Sequence, residues 1–160
     1  MKKIKNPWVH LTEQGYHCFA CAPSNPFGLK MEFYEDGEDI VCLWHPNDHY
    51  QGWLKTLHGG IQATLMDEIG GWYVSRKLQT SAMTTQLNVK YRKPVPTGEE
   101  HTLEIRARFQ ERKRNFLTLA VTLSVGGVVC SSAEATYYCF PERIAREEFH
   151  FEECVLEEEP

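Results

Sequence analysis

The stretch Leu57-His58-Gly59-Gly60-Ile61-Gln62-Ala63-Thr64-Leu65-Met66-Asp67-Glu68 opens a run of about 20 residues without proline. Ile61, Leu65 and Ile69 recur in it four residues apart, and Trp72 or Tyr73 continues the same apolar face. Such spacing matches the 3.6-residue period of a helix. The sequence therefore predicts one long amphipathic helix from Leu57 to about Leu78.

The opposite face of this helix carries small residues around a single carboxylate, Asp67. Its members recur at spacings of three and four residues: Gly60, Ala63, Thr64, Gly70, Gly71 and Val74. Each glycine inside a helix costs about 1 kcal/mol, so the Gly70-Gly71 pair indicates that another backbone comes very close. A carboxylate on a close-packed face is either a buried paired group or a functional one.

The start of the helix is a candidate binding position. Its first N–H groups have no acceptor within the helix and lie at the positive end of the helix dipole. They can therefore hold an oxygen that gains negative charge, and Gly59 and Gly60 allow close approach to the main chain. From the residues alone, a Gly-Gly pair can equally serve close packing, and Asp67 can be solvated surface. His58 by itself is more typical of a packing or hydrogen-bonding residue.

Runs of alternating apolar residues flank the helix on both sides. Two precede it, Leu29–Tyr34 and Ile40–Trp44, and form an opening hairpin around the acidic turn at 35–39. Four follow it, at about 85–91, 103–109, 117–125 and 128–140. Strands in this order, without β-α-β alternation, predict an α+β fold: an antiparallel sheet of about six strands with one long helix on a face.

Length, charge and termini narrow the class of protein. With 160 residues we expect one domain per chain, and with neither a signal peptide nor a run of about 20 apolar residues we expect a cytoplasmic protein that does not enter a membrane. The net charge of −5 speaks against nucleic acid as a partner. Residues 142–160 account for −6 of it, with eight acidic and two basic residues, so residues 1–141 carry about +1 and can bind an anionic ligand.

We divide the chain into an irregular lead-in (1–28), a main domain (29–141) and an acidic extension (142–160) that is a short helix or a disordered tail.

Six cysteines are present, and two of them form a Cys-x-x-Cys motif, Cys18 and Cys21, beside His17. A structural zinc site needs a second pair of ligands at similar spacing, and none follows in the sequence. Free, buried or half-buried thiols are the preferred interpretation, and no metal is expected.

Three features together resemble a known family. The chain contains His58-Gly59-Gly60, a carboxylate nine residues after the histidine, and the stretch Thr84-Thr85-Gln86-Leu87-Asn88-Val89-Lys90-Tyr91-Arg92-Lys93-Pro94. In these features it is similar to the hotdog-fold acyl-CoA thioesterases of the phenylacetate-degradation type. The lead-in from Cys18 to Leu29 is similar to the amino-terminal segment of many such proteins. The resemblance covers about residues 16–140 and implies a sheet wrapped around one central helix.

The resemblance also implies roles for individual residues. Asp67 would be the nucleophile or the general base, the N–H of Gly59 would polarise the thioester carbonyl, and Thr84 would stand near the attacking water. His58 would support the site. Family members commonly place an Asn or Gln six residues before the histidine; that position is Gly52 here, so Gln51 is the nearest candidate.

By the same resemblance, the active site would form between two subunits of a homodimer or a dimer of dimers, and coenzyme A would be part of the substrate, with no separate cofactor. The acyl group would lie near Met66, Trp72, Tyr73 and Met83, although the aromatic residues could equally be core. The candidate contacts for coenzyme A are Gly60 and the basic residues Lys90, Arg92, Lys93, Arg112, Lys113 and Arg114. Each of the basic residues, taken singly, could equally be solvated surface.

Two alternatives remain. A 3-hydroxyacyl thioester dehydratase is suggested by His49-Tyr50-Gln51-Gly52, but its carboxylate normally follows the histidine by about fourteen residues, where this chain has Ala63. A hotdog module that binds acyl-CoA without catalysis is the other alternative, since a fold does not establish an activity.

Overall fold

The computed structural model describes residues 1–157, so Glu158 and Glu159 of the acidic extension lie outside the described residues. The long helix is present: α1 spans Gly59–Tyr73 and continues as a π-helical turn over Val74–Leu78. His58 caps its start, because the imidazole Nδ1 accepts the Gly60 N–H at 2.8 Å. Gln79, in the left-handed region at φ 53°, ends it. The predicted helix from Leu57 to Leu78 is thus confirmed, with its start two residues later.

The sheet has seven antiparallel strands, one more than the six predicted, because two residues at the amino terminus add an edge. In chain order its strands are β1 Lys2–Lys3, β2 Tyr34–Asp36, β3 Asp39–Trp44, β6 Ala82–Tyr91, β7 Leu103–Lys113, β8 Phe116–Val125 and β9 Val128–Cys139. A separate small hairpin, β4 Gln51–Trp53 and β5 Thr56–Leu57, precedes the helix. The order across the sheet is β1-β2-β3-β7-β8-β9-β6. The last four predicted strands are confirmed.

The opening hairpin lies later than the alternation predicted. Leu29, Met31 and Phe33 do point inwards and are buried, but the ladder begins only at Tyr34. Lys30 has a positive φ of 53°, and the Met31 N–H donates to the Ala20 carbonyl rather than to a neighbouring strand. The backbone of 29–33 therefore bonds to the lead-in, and a run with strand periodicity serves as a packed connection.

The core lies between α1 and the sheet, on the apolar face that the sequence predicted. Leu65 and Ile69 are fully buried, and the Trp72 ring stacks on Phe33 with centroids 4.3 Å apart. Met66 is fully buried as well. Within one chain, the large side chains that could have lined an acyl pocket are therefore mostly core residues; Met83 is exposed.

The close approach at the helix glycines comes from a side chain, not from a backbone. A Cβ on Gly70 would fall less than 2.5 Å from the Tyr137 ring, whereas nothing in the described chain lies within 4 Å of a Cβ on Gly71. The expectation that another backbone comes close to this face stays a prediction, since the described contact at Gly70 is with a side chain of the same chain. Tyr137 occupies the space that the missing side chain leaves.

The carboxy-terminal segment begins with a helix, α2 Glu142–Phe149, and then packs along the body. Phe151 and Cys154 are buried, and Leu156 pairs with Ile4. The β1 edge of the sheet is thereby flanked by this segment, while β6 forms the opposite edge. In residues 1–157, no helix has the length and apolar character needed to cross a membrane.

Candidate active site

Asp67 lies beside two hydroxyl groups from neighbouring strands. The Thr84 hydroxyl on β6 donates to Asp67 Oδ1 at 2.7 Å, and the Tyr137 hydroxyl on β9 lies 2.9 Å from the Asp67 carbonyl oxygen and 3.4 Å from Oδ1. Asp67 is partly exposed, and Thr84 on the edge strand is exposed. Asp67 is thus oriented by two donors and still accessible.

Local sequence explains why Thr84 reaches the helix. Thr84 pairs with Tyr137 and Gln86 pairs with Thr136, so Thr85 forms a bulge in β6. An extra residue in one strand shifts which side chains face each side of the sheet. Thr84 therefore shares the helix-facing side with Tyr137.

Tyr137 is a site residue that the sequence reasoning missed. Burial raises its pKa well above the usual range, and the Asp67 carboxylate adds to the rise. The hydroxyl therefore stays protonated and serves as a donor. A signal was available: Tyr137 continues the inward alternation of Ala133 and Ala135, and a buried tyrosine hydroxyl usually finds a polar partner.

At the helix start, only one of the first two N–H groups is used by the cap. The Gly60 N–H donates to His58, while the Gly59 N–H has no acceptor among the described residues. The Tyr91 hydroxyl donates to the Gly59 carbonyl at 2.7 Å and was not singled out in the sequence. His58 therefore acts on the helix start as a cap, and Gly59 keeps a free donor.

The Gln51 side-chain amide donates to Asp48 Oδ1 at 3.3 Å, and within residues 1–157 it forms no hydrogen bond to the helix start. Gly52 packs closely against His58: a Cβ added at Gly52 would lie only 3.0 Å from the His58 Cα. The position that carries an Asn or Gln in the resembled family is filled here by close packing.

The Gly59 N–H and the Asp67 carboxylate are separated along one helix. Eight residues at 1.5 Å per residue place them about 12 Å apart along the axis. A reacting carbonyl carbon needs its partners at about 3 to 3.5 Å. One chain therefore does not bring both groups to the same thioester.

The basic residues fall into two groups that do not meet within a chain. Lys90 and Arg92 line one pocket on the side of the sheet away from the helix, and Lys93 follows Arg92 beyond the end of β6. Arg114 lies in the β7–β8 turn, directly after Lys113 at the end of β7. Arg112 lines a cleft of about 530 Å³ together with Arg146 and Glu152. That turn lies at the other end of the sheet, about 25 Å along the strands.

A second cluster adjoins the first on the same helix. Among the described residues, Cys18, Cys21 and Glu68 form the one group whose ligand atoms could hold a metal ion, with all three within 4.8 Å of one another. Burial raises the pKa of Glu68 to about 7, and the charge of Cys18 adds to the rise.

Residues 54–131 match the family described as the thioesterase superfamily. Acyl-coenzyme A thioesterase THEM4 of Rattus norvegicus is 38% identical over 73 residues, which are 43% of this chain and 31% of that protein. The match thus spans about a third of that relative. Acyl-coenzyme A thioesterase 13 of Mus musculus is 24% identical over 100 residues, or 62% of this chain and 71% of that protein.

Solved structures agree on the fold. A protein of Streptococcus mutans, solved bound to acetyl CoA, superposes with a TM-score of 0.63 at 23% identity, covering 70% of this chain and 90% of the other. At that identity the likeness concerns the fold. The chain therefore has the hotdog fold of these structures, and its residues 54–131 are similar to the thioesterase superfamily.

Proposed function

We propose that this chain hydrolyses acyl-CoA thioesters with small or medium acyl or aryl groups, releasing the free acid and coenzyme A. The observation that carries the proposal is the accessible Asp67 carboxylate, oriented by the Thr84 hydroxyl at 2.7 Å. Two relatives carry the name acyl-coenzyme A thioesterase, and a structural neighbour was solved with acetyl CoA, which supports this substrate class.

Two routes use the same residues. As a general base, Asp67 takes a proton from water while the water oxygen attacks the carbonyl carbon; as a nucleophile, its oxygen attacks first and water then cleaves the resulting anhydride. In both, the C–S bond breaks and the sulfur leaves as a thiolate, which needs little help from an acid. The Gly59 N–H would hold the carbonyl oxygen as it gains charge.

The separation of about 12 Å along α1 supports a site shared between two copies of the chain. Strand β6 offers the surface for the partner, since it is a ten-residue sheet edge whose Met83 and Tyr91 are each 54% exposed. Long exposed edges readily pair with another chain. We therefore propose a homodimer, or a dimer of dimers, in which Asp67 of one copy faces Gly59 of the other.

The activity is tested by measuring thiol release from a panel of aromatic, short-chain and long-chain acyl-CoAs. We expect turnover on part of the panel. Binding of an acyl-CoA with no thiol release from any member would favour a non-catalytic binding protein. An enoyl product from a 3-hydroxyacyl-CoA, without free thiol, would favour a dehydratase.

The shared site is tested by mixing two inactive variants. Gly59→Pro removes the N–H at the first helical position, where proline is tolerated, and Asp67→Ala removes the carboxylate. In a randomly mixed population of shared-site dimers, half are heterodimers with one intact site of two, so about a quarter of wild-type turnover should return. A mixture as inactive as its components, with heterodimers verified by native mass spectrometry, would contradict the shared site.

A further inference from the structure

The side chains of Cys18 and Cys21 in the lead-in meet Glu68, the residue that follows Asp67 on helix α1. Cys18 Sγ lies 3.5 Å from Glu68 Oε1, and the ligand atoms of Cys18, Cys21 and Glu68 all lie within 4.8 Å of one another. In residues 1–157, no basic side chain forms an ion pair with Glu68. Two sulfurs and a carboxylate therefore converge without a protein cation between them.

The loop that carries the cysteines is held in this shape by its own hydrogen bonds. The Cys21 N–H donates to Cys18 Sγ at 3.4 Å, and the Ala22 N–H donates to the Cys18 carbonyl at 3.1 Å. The Tyr16 hydroxyl lies 3.0 Å from Cys21 Sγ. Each sulfur thus has a neighbouring donor that can support a thiolate.

We propose that Cys18, Cys21 and Glu68 bind a divalent cation of the zinc class. Thiolate ligands favour zinc over magnesium or calcium, and zinc takes four ligands in a tetrahedron. Three come from this cluster; water can supply the fourth on the side of Cys18, which is only half-buried, whereas Cys21 is buried. On binding, each thiol loses its proton to solvent, and the three negative ligands offset the two positive charges of the ion.

The spacing rule for zinc sites does not reveal this arrangement. It looks for a second pair of ligands close together in the chain. Here the third ligand lies 47 residues after Cys21, on the helix that packs against the lead-in. The bound ion would tie the lead-in to α1 beside Asp67, with Tyr16 supporting the Cys21 sulfur, and Asn6 donating to Tyr16 at 3.3 Å.

The site is tested by titrating the tag-free, fully reduced, chelator-treated chain with Co²⁺. We expect a thiolate-to-cobalt charge-transfer band and the intense d–d bands of a tetrahedral ion, both saturating at one equivalent. Zn²⁺ should displace the cobalt and bleach these bands, and the melting temperature should rise with either metal. A wild-type chain with no charge-transfer band at one equivalent would overturn the proposal.

Variants separate this site from other metal binding. Cys18→Ser and Cys21→Ser should each weaken the charge-transfer band. Glu68→Gln keeps both sulfurs and should raise the Co²⁺ dissociation constant at least about tenfold. Cys130→Ala removes a buried thiol outside the cluster and should leave the titration unchanged. If Glu68→Gln, shown to be folded by circular dichroism, binds Co²⁺ as tightly as the wild type, the carboxylate is not a ligand and the proposal fails.

Discussion

Asp67 and Glu68 are consecutive carboxylates on one helix, yet they face different surroundings. Asp67 points to the edge strand, where the Thr84 and Tyr137 hydroxyls surround it and solvent reaches it. Glu68 points to the lead-in, where burial beside Cys18 raises its pKa to about 7. A helix turns by 100° per residue, so neighbours in sequence meet different elements. The same functional group can therefore serve two kinds of chemistry one residue apart.

The largest effect is expected from removing the first carboxylate. Asp67→Ala should lower kcat for thioester hydrolysis by about 10² to 10⁴-fold, the usual contribution of a general base. Asp67→Asn should bind substrate nearly as well as the wild type, because the side chain keeps its size. The matched control is Glu68→Gln, whose kcat should stay within a few-fold of wild type. Equal losses in both variants would show that the two carboxylates do not have separate roles.

The packing behind Asp67 can be disrupted without touching the carboxylate. Gly70→Ala would drive a methyl group into the Tyr137 ring, and overpacking of this kind costs about 1 to 3 kcal/mol in the free energy of unfolding. Gly71→Ala meets no described atom within 4 Å and should cost far less. Urea unfolding of both variants measures the difference. Similar stabilities for the two would contradict the position of Tyr137.

The two hydroxyls beside Asp67 should have smaller, unequal effects. Thr84→Val removes the direct 2.7 Å bond to the carboxylate, and a net hydrogen bond of about 1 kcal/mol corresponds to a loss of about fivefold in kcat. Tyr137→Phe removes mainly a bond to the Asp67 backbone, so we expect it to lower stability by about 1 kcal/mol and kcat less than Thr84→Val does. Steady-state kinetics and thermal unfolding of both variants provide the test, and the reverse order would make Tyr137 the main orienting group.

Glu35 is a third carboxylate, and its pKa can be compared with that of Glu68 through the pH dependence of stability. Burial tends to raise the pKa of Glu35, but its hydrogen bonds to Arg76 and Lys77 prevail and lower it, opposite to the direction at Glu68. A lowered pKa means stability that is present above the pKa of the unfolded chain and is lost as the pH falls through the folded value. Glu35→Gln should therefore reduce stability near pH 7, by about 1 kcal/mol or less for this partly exposed pair, and have little effect in acid. Unfolding free energies at both pH values check this; an equal effect in acid would contradict the ion pair.

Much of the fold could be predicted from periodicity. The helix through Leu78 and the four later strands follow their apolar spacing, since burying one face requires that spacing. The opening hairpin was misplaced because Leu29, Met31 and Phe33 alternate like a strand while their backbone bonds to the lead-in. Alternation reports which side chains are buried, not which backbone groups are paired.

The candidate site was predictable only in part. The helix motif with Asp67 and the strand motif with Thr84 were both identified in the sequence, and these two residues are in contact in the structure. The contacts of Tyr137 and Tyr91, and the contact of Glu68 with the cysteine pair, were not predicted. The roles of Asp67, Gly59, His58, Thr84 and Gln51, and of the basic residues toward coenzyme A, remain predictions. Contacts of this kind join elements far apart in the chain.

The sequence by itself determined the element types, the buried helix face and the carboxylate nine residues after the histidine, because these depend on local spacing along the chain. The tertiary structure alone decided which neighbours each carboxylate meets. A bulge at Thr85 places Thr84 on the helix side, and the folded lead-in brings two thiols to Glu68. Such contacts depend on how whole elements pack, and packing is set by the combined shape of many side chains rather than by any short motif.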